Sequence, residues 1–262
     1  MTMKLGSKGE RVKELQGILG IAQDGDFGPQ TDKAVREYQK NHGLQIDGIV
    51  GPQTWLQMSK PEVKYTMAQI RDAVTDKGYD WFSVGDYNIN IVGIRNSDTK
   101  GEVTNRYDDH ITVSYRLNGS WEYVIWEATT DPGAYWIDNP SNTNGTAILV
   151  PDQYKGVYKI DYHGGKYKAL CQRNGKVRVY RDGNRDDEYD YEEDTIQDGY
   201  FGINIHRSSA YKVSNYVNKY SAGCQVFADP DDFDDFMRII YKVRDAWGNK
   251  FTYTLIESKD IK

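Results

Sequence analysis

The sequence contains a histidine followed by a cysteine at a spacing that suits nucleophilic catalysis. His206 lies in the strand-like segment 202–207, and Cys224 follows 18 residues later at the end of the segment Ser-Ala-Gly-Cys, residues 221–224. A thiol becomes a strong nucleophile when a nearby group lowers its pKa or takes its proton, and a histidine on a neighbouring strand can do either. Cys224 and His206 are therefore a candidate nucleophile and base.

The order and spacing of these two residues resemble the L,D-transpeptidase (YkuD) family. Its signature is a histidine, a spacer of about this length and then Ser/Thr-His-Gly-Cys. Papain-like peptidases have the opposite order, with the cysteine before the histidine. The family's second histidine position is occupied here by Ala222, and the position of its Arg or Asn, after the cysteine, is occupied by Val226.

The resemblance implies a role for each matching residue. Cys224 would attack the carbonyl carbon of a stem-peptide bond as a thiolate, and His206 would take the thiol proton and pass it to the leaving amine. The carbonyl of Arg207 would accept a hydrogen bond from the other ring nitrogen of His206. The N–H groups of Gly223 and Cys224 would hold the oxyanion, and Ser221 would fix the turn. The Arg207 side chain would supply the positive charge missing after the cysteine.

This assignment also predicts an electrostatic property of the thiol. If His206 and Cys224 form an imidazolium–thiolate pair, the pKa of the thiol should lie below its reference value of about 8.5. The alternative is a buried histidine and an inert buried thiol that only neighbour each other in sequence.

The N-terminal part of the chain carries an internal repeat. Asp-Gly-Asp-Phe-Gly-Pro-Gln-Thr at 24–31 recurs as Asp-Gly-Ile-Val-Gly-Pro-Gln-Thr at 47–54, a period of 23 residues. In each copy Asp-Gly predicts a turn with positive φ, and Gly-Pro predicts a helix that starts at the proline. Apolar helical faces are predicted at two sets of positions: Val12, Leu15, Ile18 and Leu19, and Ala34, Val35 and Tyr38.

Three short helices around one small core are therefore expected. Residues 4–58 resemble a peptidoglycan-binding domain of the three-helix type, which implies bacterial peptidoglycan as the partner. By themselves, the glycines and prolines of the repeat indicate only the turns of a small helical bundle.

The length of the chain is consistent with two domains, and its charge argues against two classes of partner. A chain of 262 residues predicts a peptidoglycan-binding domain at 1–60, a linker near residues 59–63 and a catalytic domain at 61–262. The net charge of −6 argues against nucleic acid and anionic membrane surfaces as partners. The sequence leaves the oligomeric state open.

Targeting signals are not evident in the sequence. No apolar run is long enough to span a bilayer, and no leader precedes the repeat. We expect synthesis in the cytoplasm and action on the wall after release, as for a phage lysin. A sequence from which a leader had been removed would give the same pattern.

The second domain reads as helices and many short strands. Thr66 and Gln69 predict a capping box for a helix that ends at Gly78, and Asp229 with Pro230 predicts the start of a second helix with an apolar core-facing stripe. Strands are predicted at 89–94, 110–117, 122–127, 146–150, 156–162, 166–172, 176–180, 200–206 and 251–256. The fold class is therefore α+β, a small N-terminal three-helix bundle followed by a β-rich L,D-transpeptidase-like domain built as a sandwich or an open barrel.

Other candidate groups have structural explanations. Cys171 lies in an alternating strand pattern and is expected to be a packed thiol, and His163 precedes Gly-Gly and is expected in a turn. The loop 129–144 is a candidate substrate loop beside the active site. Residues 182–198 contain nine acidic residues, which we interpret as a solvated loop in preference to a cation site.

Neither a metal nor a cofactor is expected. The run 108–110, Asp-Asp-His, lacks a second histidine at ligand spacing and is interpreted as a cluster at a strand edge. Zinc-dependent wall amidases and peptidases would need paired histidine motifs that this sequence does not contain.

The sequence thus predicts a peptidoglycan-degrading cysteine peptidase that works through an acyl-thioenzyme. Three alternatives remain: an L,D-transpeptidase that passes the acyl group to another stem-peptide amine, a non-catalytic wall-binding protein, and a glycosidase using acids within 188–194.

Overall fold

The chain divides into two units, Met1–Lys64 and Tyr65–Lys262. The computed structural model describes residues 2–41, 44–58 and 65–262. The expected linker at residues 59–63 lies outside these ranges. Within them, no helix combines the length and the apolar character needed to cross a membrane.

The N-terminal unit contains the helices α1 (Glu10–Ile18), α2 (Pro29–Asn41) and α3 (Pro52–Met58). Proline is the first residue of α2 and of α3, where its missing N–H leaves no hydrogen bond unmade. The expected positive φ occurs at Gly25 (75°) and Gly48 (70°). The helices and loops share one core, formed by Met3, Val12, Leu15, Phe27, Val35, Val50 and Met58.

Each copy of the repeat closes around a buried glutamine. Gln16 Oε1 accepts the Gly25 N–H at 2.9 Å, and its amide donates to Asp24 Oδ1 at 2.7 Å and to Thr31 Oγ1 at 3.1 Å. Gln39 makes the equivalent bonds in the second copy, to Asp47, Gly48 and Thr54. Because these bonds satisfy the amide, Gln16 lies inside, whereas Ile18, expected to face inward, is 44% exposed.

The C-terminal unit begins with α4 (Met67–Asp76), which has the expected capping box of Thr66 and Gln69. Two further helices follow, α5 (Ala134–Asp138) and α6 (Pro230–Trp247). The strands are β1 (Asn90–Arg95), β2 (Asp109–Leu117), β3 (Ser120–Thr129), β4 (Thr146–Leu149), β5 (Gln153–His163), β6 (Tyr167–Gln172), β7 (Val177–Asp182), β8 (Gln197–Gly199), β9 (Ile205–Arg207), β10 (Gln225–Phe227) and β11 (Phe251–Glu257).

Eight of these strands close on themselves. Their order is β1-β11-β5-β6-β9-β10-β3-β2, and β1 pairs with β2 as well as with β11. The expectation of a sandwich or an open barrel is therefore wrong, because the three-residue strands β9 and β10 bridge the gap between β6 and β3. The strands β4, β7 and β8 form a separate small sheet.

Helix α6 fills the core of this unit. The Asp229 carboxylate accepts the N–H of Asp231 at 2.9 Å, and Pro230 is the first helical residue, as the sequence predicts. The apolar stripe of α6 packs among the strands through Phe233, Phe236, Met237, Ile240 and Val243. This packing confirms that the stripe belongs to the core.

Candidate active site

The register of two short parallel strands sets the positions of the predicted nucleophile and base. His206 in β9 pairs with Val226 in β10. Cys224 lies immediately before β10 and two residues from Val226, so continuation of the extended backbone would place it on the same face as His206. Packing agrees with this placement, since Cys224 contacts the small cluster that contains Val226.

The His206 ring is buried and held in one tautomer. Its Nδ1 lies 2.8 Å from the carbonyl oxygen of Arg207, which can only accept, so Nδ1 carries the proton. The Tyr167 hydroxyl donates to the same carbonyl at 3.1 Å and lies 3.4 Å from Nδ1. Nε2 is therefore the nitrogen with a free lone pair, as a general base requires.

The Cys224 thiol is held by the main chain of the segment before β9. Its Sγ accepts the N–H of Asn204 at 3.4 Å and donates to the carbonyl of Gly202 at 3.4 Å. Among the described residues, no hydrogen bond joins Cys224 to His206. The thiol proton points to Gly202.

Both groups are neutral in this arrangement. Burial raises the pKa of Cys224 to about 11. Burial, with a smaller contribution from His163, lowers the pKa of His206 to about 3. This arrangement favours a neutral pair over the expected imidazolium–thiolate pair, because among the described residues no opposite charge compensates either group for its burial.

The segment that leads into β9 is not the strand that the sequence predicts for 200–206. Gly202 has a φ of 73°, which interrupts the extended backbone. The N–H groups of Phe201, Gly202 and Ile203 all donate to the side-chain oxygen of Gln172, at 2.9–3.2 Å. Gln172 thereby shapes the loop that holds the Cys224 thiol.

The turn before Cys224 is fixed by a serine and a glycine. Ser221 Oγ donates to the Cys224 carbonyl at 2.7 Å and accepts the Gly223 N–H at 3.2 Å. Gly223 has a φ of 113°, and a Cβ at this position would lie 2.2 Å from the carbonyl oxygen of Ala147. Only glycine fits there. Because Ser221 already binds the Gly223 N–H, this donor is not free for an oxyanion, which corrects its expected role.

The Arg207 side chain lies on the opposite face of β9 from His206. Its guanidinium pairs with Asp234 at 3.3 Å and lies over the Tyr167 ring at 4.6 Å. It borders a cleft of about 470 Å³ lined also by Tyr167, Lys168, Phe233, Asp234, Met237, Arg238 and Tyr241. Arg207 contributes its carbonyl to the site, but its charge does not replace the one missing after Cys224.

A second histidine contacts the first. His163 is the last residue of β5, and its ring stacks on that of His206 with a centroid distance of 4.0 Å and an interplanar angle of 23°. The turn expected for His163 is thus the end of a strand. Tyr167 and Asn204 were also missed by sequence reasoning. The scarcity of histidine, four in 262 residues, was the signal that could have drawn attention to His163.

The remaining candidate groups lie outside this site. Asp109 accepts the Thr130 N–H at 2.6 Å and the Asn96 N–H at 2.7 Å, so it is a structural carboxylate. In the described part of the chain, no group of three His, Cys, Asp or Glu residues could hold a metal ion. Cys171 is fully buried, and burial raises the pKa of its thiol.

The two loops have different positions. The loop 129–144 contains α5 and contacts the turn at residues 221–224, because the Gly133 N–H donates to the Ser221 carbonyl at 2.9 Å. In the acidic segment 182–198 most carboxylates are exposed, as a solvated loop requires. Asp182 is the exception, since it is buried and its pKa is raised to about 6 by burial.

Comparison with known proteins identifies the N-terminal unit. Residues 8–58 match the family described as "Putative peptidoglycan binding domain", so the chain carries such a domain at its N-terminus, as the repeat predicts. Among curated proteins, no significant match was found.

Several solved structures are similar to parts or all of the chain. The SleB N-terminal domain is 35% identical over 23% of this chain and 90% of its own, with a TM-score of 0.23. A Burkholderia AP3 phage endolysin is 33% identical over 30% of this chain and 34% of its own, with a TM-score of 0.23. An L,D-transpeptidase from Xylanimonas cellulosilytica is 18% identical over 98% of both chains, with a TM-score of 0.27.

Proposed function

We propose that this protein cleaves peptide bonds in the stem peptides or cross-links of peptidoglycan through a thioester on Cys224. The observation that supports this most directly is the position of Cys224 immediately before β10, which pairs with the strand β9 that carries His206, with Nε2 of His206 unprotonated. The peptidoglycan-binding domain supports the choice of substrate, because it would raise the local concentration of wall peptides.

The chemistry starts from a neutral pair. The Cys224 side chain rotates from the Gly202 carbonyl towards His206, and Nε2 takes the thiol proton as sulfur attacks the carbonyl carbon of the peptide. The tetrahedral intermediate then loses the amine, which receives the same proton from Nε2, and a thioester remains on Cys224.

The second half returns the enzyme to its starting state. Nε2 takes a proton from water as the water oxygen attacks the thioester, and the thiolate of Cys224 recovers that proton when the acid product leaves. An L,D-transpeptidase would run the same first half and use a stem-peptide amine in place of water. The two reactions differ only in the acceptor.

The oxyanion has one candidate main-chain donor in the turn. Among the described residues no partner is found for the Cys224 N–H, whereas the Gly223 N–H is bound by Ser221. A hydrogen bond from the Cys224 N–H would stabilise the negative charge that develops on the oxygen of the attacked carbonyl.

Mass spectrometry of muropeptides tests the proposal. Purified sacculi incubated with the protein should lose cross-linked or full-length stem peptides and gain shorter monomers. Cys224→Ala should reduce this activity by about 10⁴-fold or more, as removal of a catalytic nucleophile does elsewhere, while the variant still sediments with sacculi. Cys171→Ala is the matched control and should keep most of the activity.

Each other product pattern identifies a different function. New cross-links would show a transpeptidase, and new reducing ends on the glycan would show a glycosidase. Unchanged muropeptides together with sedimentation would leave a wall-binding protein without catalysis. Full activity of Cys224→Ala would exclude the thioester mechanism.

A further inference from the structure

The face of the catalytic base is covered by a residue that the proposed mechanism does not use. His163 stacks on His206 because β5 and β6 form a hairpin, in which His163 pairs with Tyr167, and β6 lies beside β9 in the sheet. His163 is 43 residues before His206 in sequence, so only the strand order brings them together.

A single asparagine holds His163 and also contacts the nucleophile. The Asn204 side-chain oxygen accepts the Gln172 N–H at 3.0 Å, so its amide nitrogen is the donor to Nδ1 of His163, at 3.1 Å. The main-chain N–H of Asn204 donates to Cys224 Sγ at 3.4 Å. Asn204 therefore connects the second histidine with the thiol.

We propose that His163 is a positioning residue whose ring, oriented by Asn204, fixes the plane of the His206 imidazole. The proposal rests on the proposed function, in which Nε2 of His206 must meet the thiol of Cys224. The bond from Nδ1 to the Arg207 carbonyl constrains a single ring atom, so it tolerates a range of ring tilts about the Cβ–Cγ bond. Face-to-face contact at 4.0 Å narrows this range.

The charges around the pair keep His163 neutral. Burial, Arg173 and Lys166 all lower the pKa of His163, and the partner of Arg173 is Asp161, at 3.1 Å. Tyr167 is a titratable group that contacts His206 from β6, and the Cys224 thiol lies against Asn204, two residues before His206. A neutral His163 ring stacks on His206 without a charge, and only the protonated form of His163 would oppose protonation of His206.

Three substitutions separate stacking from hydrogen bonding. His163→Phe keeps a flat ring but loses the bond to Asn204, His163→Asn keeps a polar group without a ring, and His163→Ala removes both. We expect kcat on muropeptides to fall about 10- to 100-fold in the Ala and Asn variants with KM unchanged, and to stay within about threefold of the wild type in the Phe variant. Tyr162→Ala is the control, because Tyr162 is the exposed neighbour of His163 on the same strand.

A measurement independent of activity accompanies the kinetics. In NMR spectra, the ring protons of His206 should show one set of NOEs to their neighbours in the wild type and in His163→Phe, and weaker, averaged NOEs in His163→Ala, while the Arg207 carbonyl keeps the Nδ1–H tautomer in all three. If the wild type cleaves no muropeptide, the proposed function fails while the NMR result still decides the role of His163. Unchanged ring NOEs and an unchanged kcat in the folded His163→Ala variant would overturn the proposal.

Discussion

Cys224 should react with iodoacetamide as a neutral thiol. Only the thiolate is alkylated, so the rate follows the fraction of Cys224 that is ionised. Burial raises the pKa of this thiol from 9.0 to about 11, and no cation faces it to offset the loss of hydration.

The structure sets the size of the effect. A pKa of about 11 in place of 9.0 makes the thiolate about 100-fold scarcer at pH values well below 9, since each pH unit is a factor of ten. At pH 8 about one thiol in 10³ is ionised. The alkylation rate should therefore rise about tenfold per pH unit from pH 7 to 10 without levelling.

The assay is the rate of modification of the Cys224 peptide, followed by mass spectrometry, in the wild type and in His206→Gln. Because the resting His206 is neutral, its replacement should leave the profile unchanged within about threefold. Cys171 is the internal control. Its side chain is fully buried, whereas that of Cys224 is partly exposed, so Cys171 should react more slowly at every pH.

The opposite profile would refute the reasoning. A rate that levels off below pH 8.5 in the wild type, and that loses this plateau in His206→Gln, would show an imidazolium–thiolate pair. The nucleophile would then be ionised before substrate binds, and general-base catalysis by a neutral His206 would not be needed.

Two further predictions concern stability. Gln39→Leu should lower the free energy of unfolding of the N-terminal unit by about 3 kcal/mol, because it leaves the Gly48 N–H and the other partners of Gln39 unpaired. The measurement is urea titration, and Gln53→Leu, at an exposed position in α3, is the control. Equal losses in the two variants would contradict the role of the buried amide. The pKa of His206 is about 3 in the folded chain and about 6.5 in the unfolded chain, so the unfolded chain gains a proton first as the pH falls. This difference should lower the stability of the C-terminal unit by about 3 kcal/mol between pH 7 and pH 4. His206→Gln should remove that part of the pH dependence, and an identical slope in both proteins would show that the histidine is not buried as a neutral group.

Local chemistry made much of the fold predictable. The Gly-Pro steps of the repeat and the capping box at Thr66 act within a few residues, so the sequence alone predicts the helix starts at Pro29, Pro52 and Met67. The same repeat also places Gln16 and Gln39 23 residues apart. The pattern of apolar residues does not predict their burial, because a glutamine side chain is polar.

Features that depend on distant pairing were not predictable in this way. The strands β9 and β10 contain three residues each, too few for an alternation pattern, yet they close the barrel and set the register of His206 and Cys224. The position of His163 depends on the order of β5, β6 and β9. Burial sets the protonation of the pair, and burial follows from that same topology.

The packing around the turn at residues 221–224 indicates which part of the candidate site can move. Gly223 fits directly against the Ala147 carbonyl of β4, and Gly133 fits against the main chain of Asn218, where a Cβ would lie 2.1 Å from the carbonyl oxygen. Ser221 links both sides, through its carbonyl to Gly133 and through its hydroxyl within the turn.

A backbone fixed at these points cannot bring the sulfur to His206 by a loop movement. Within the described ranges, the hydrogen bonds of the thiol are two contacts of 3.4 Å, with Asn204 and Gly202. Hydrogen bonds of sulfur are weak, so rotation about the Cα–Cβ bond of Cys224 costs little. We therefore expect the productive geometry to form by a change of the Cys224 rotamer when substrate displaces the contact with Gly202, while the His206 ring stays in place.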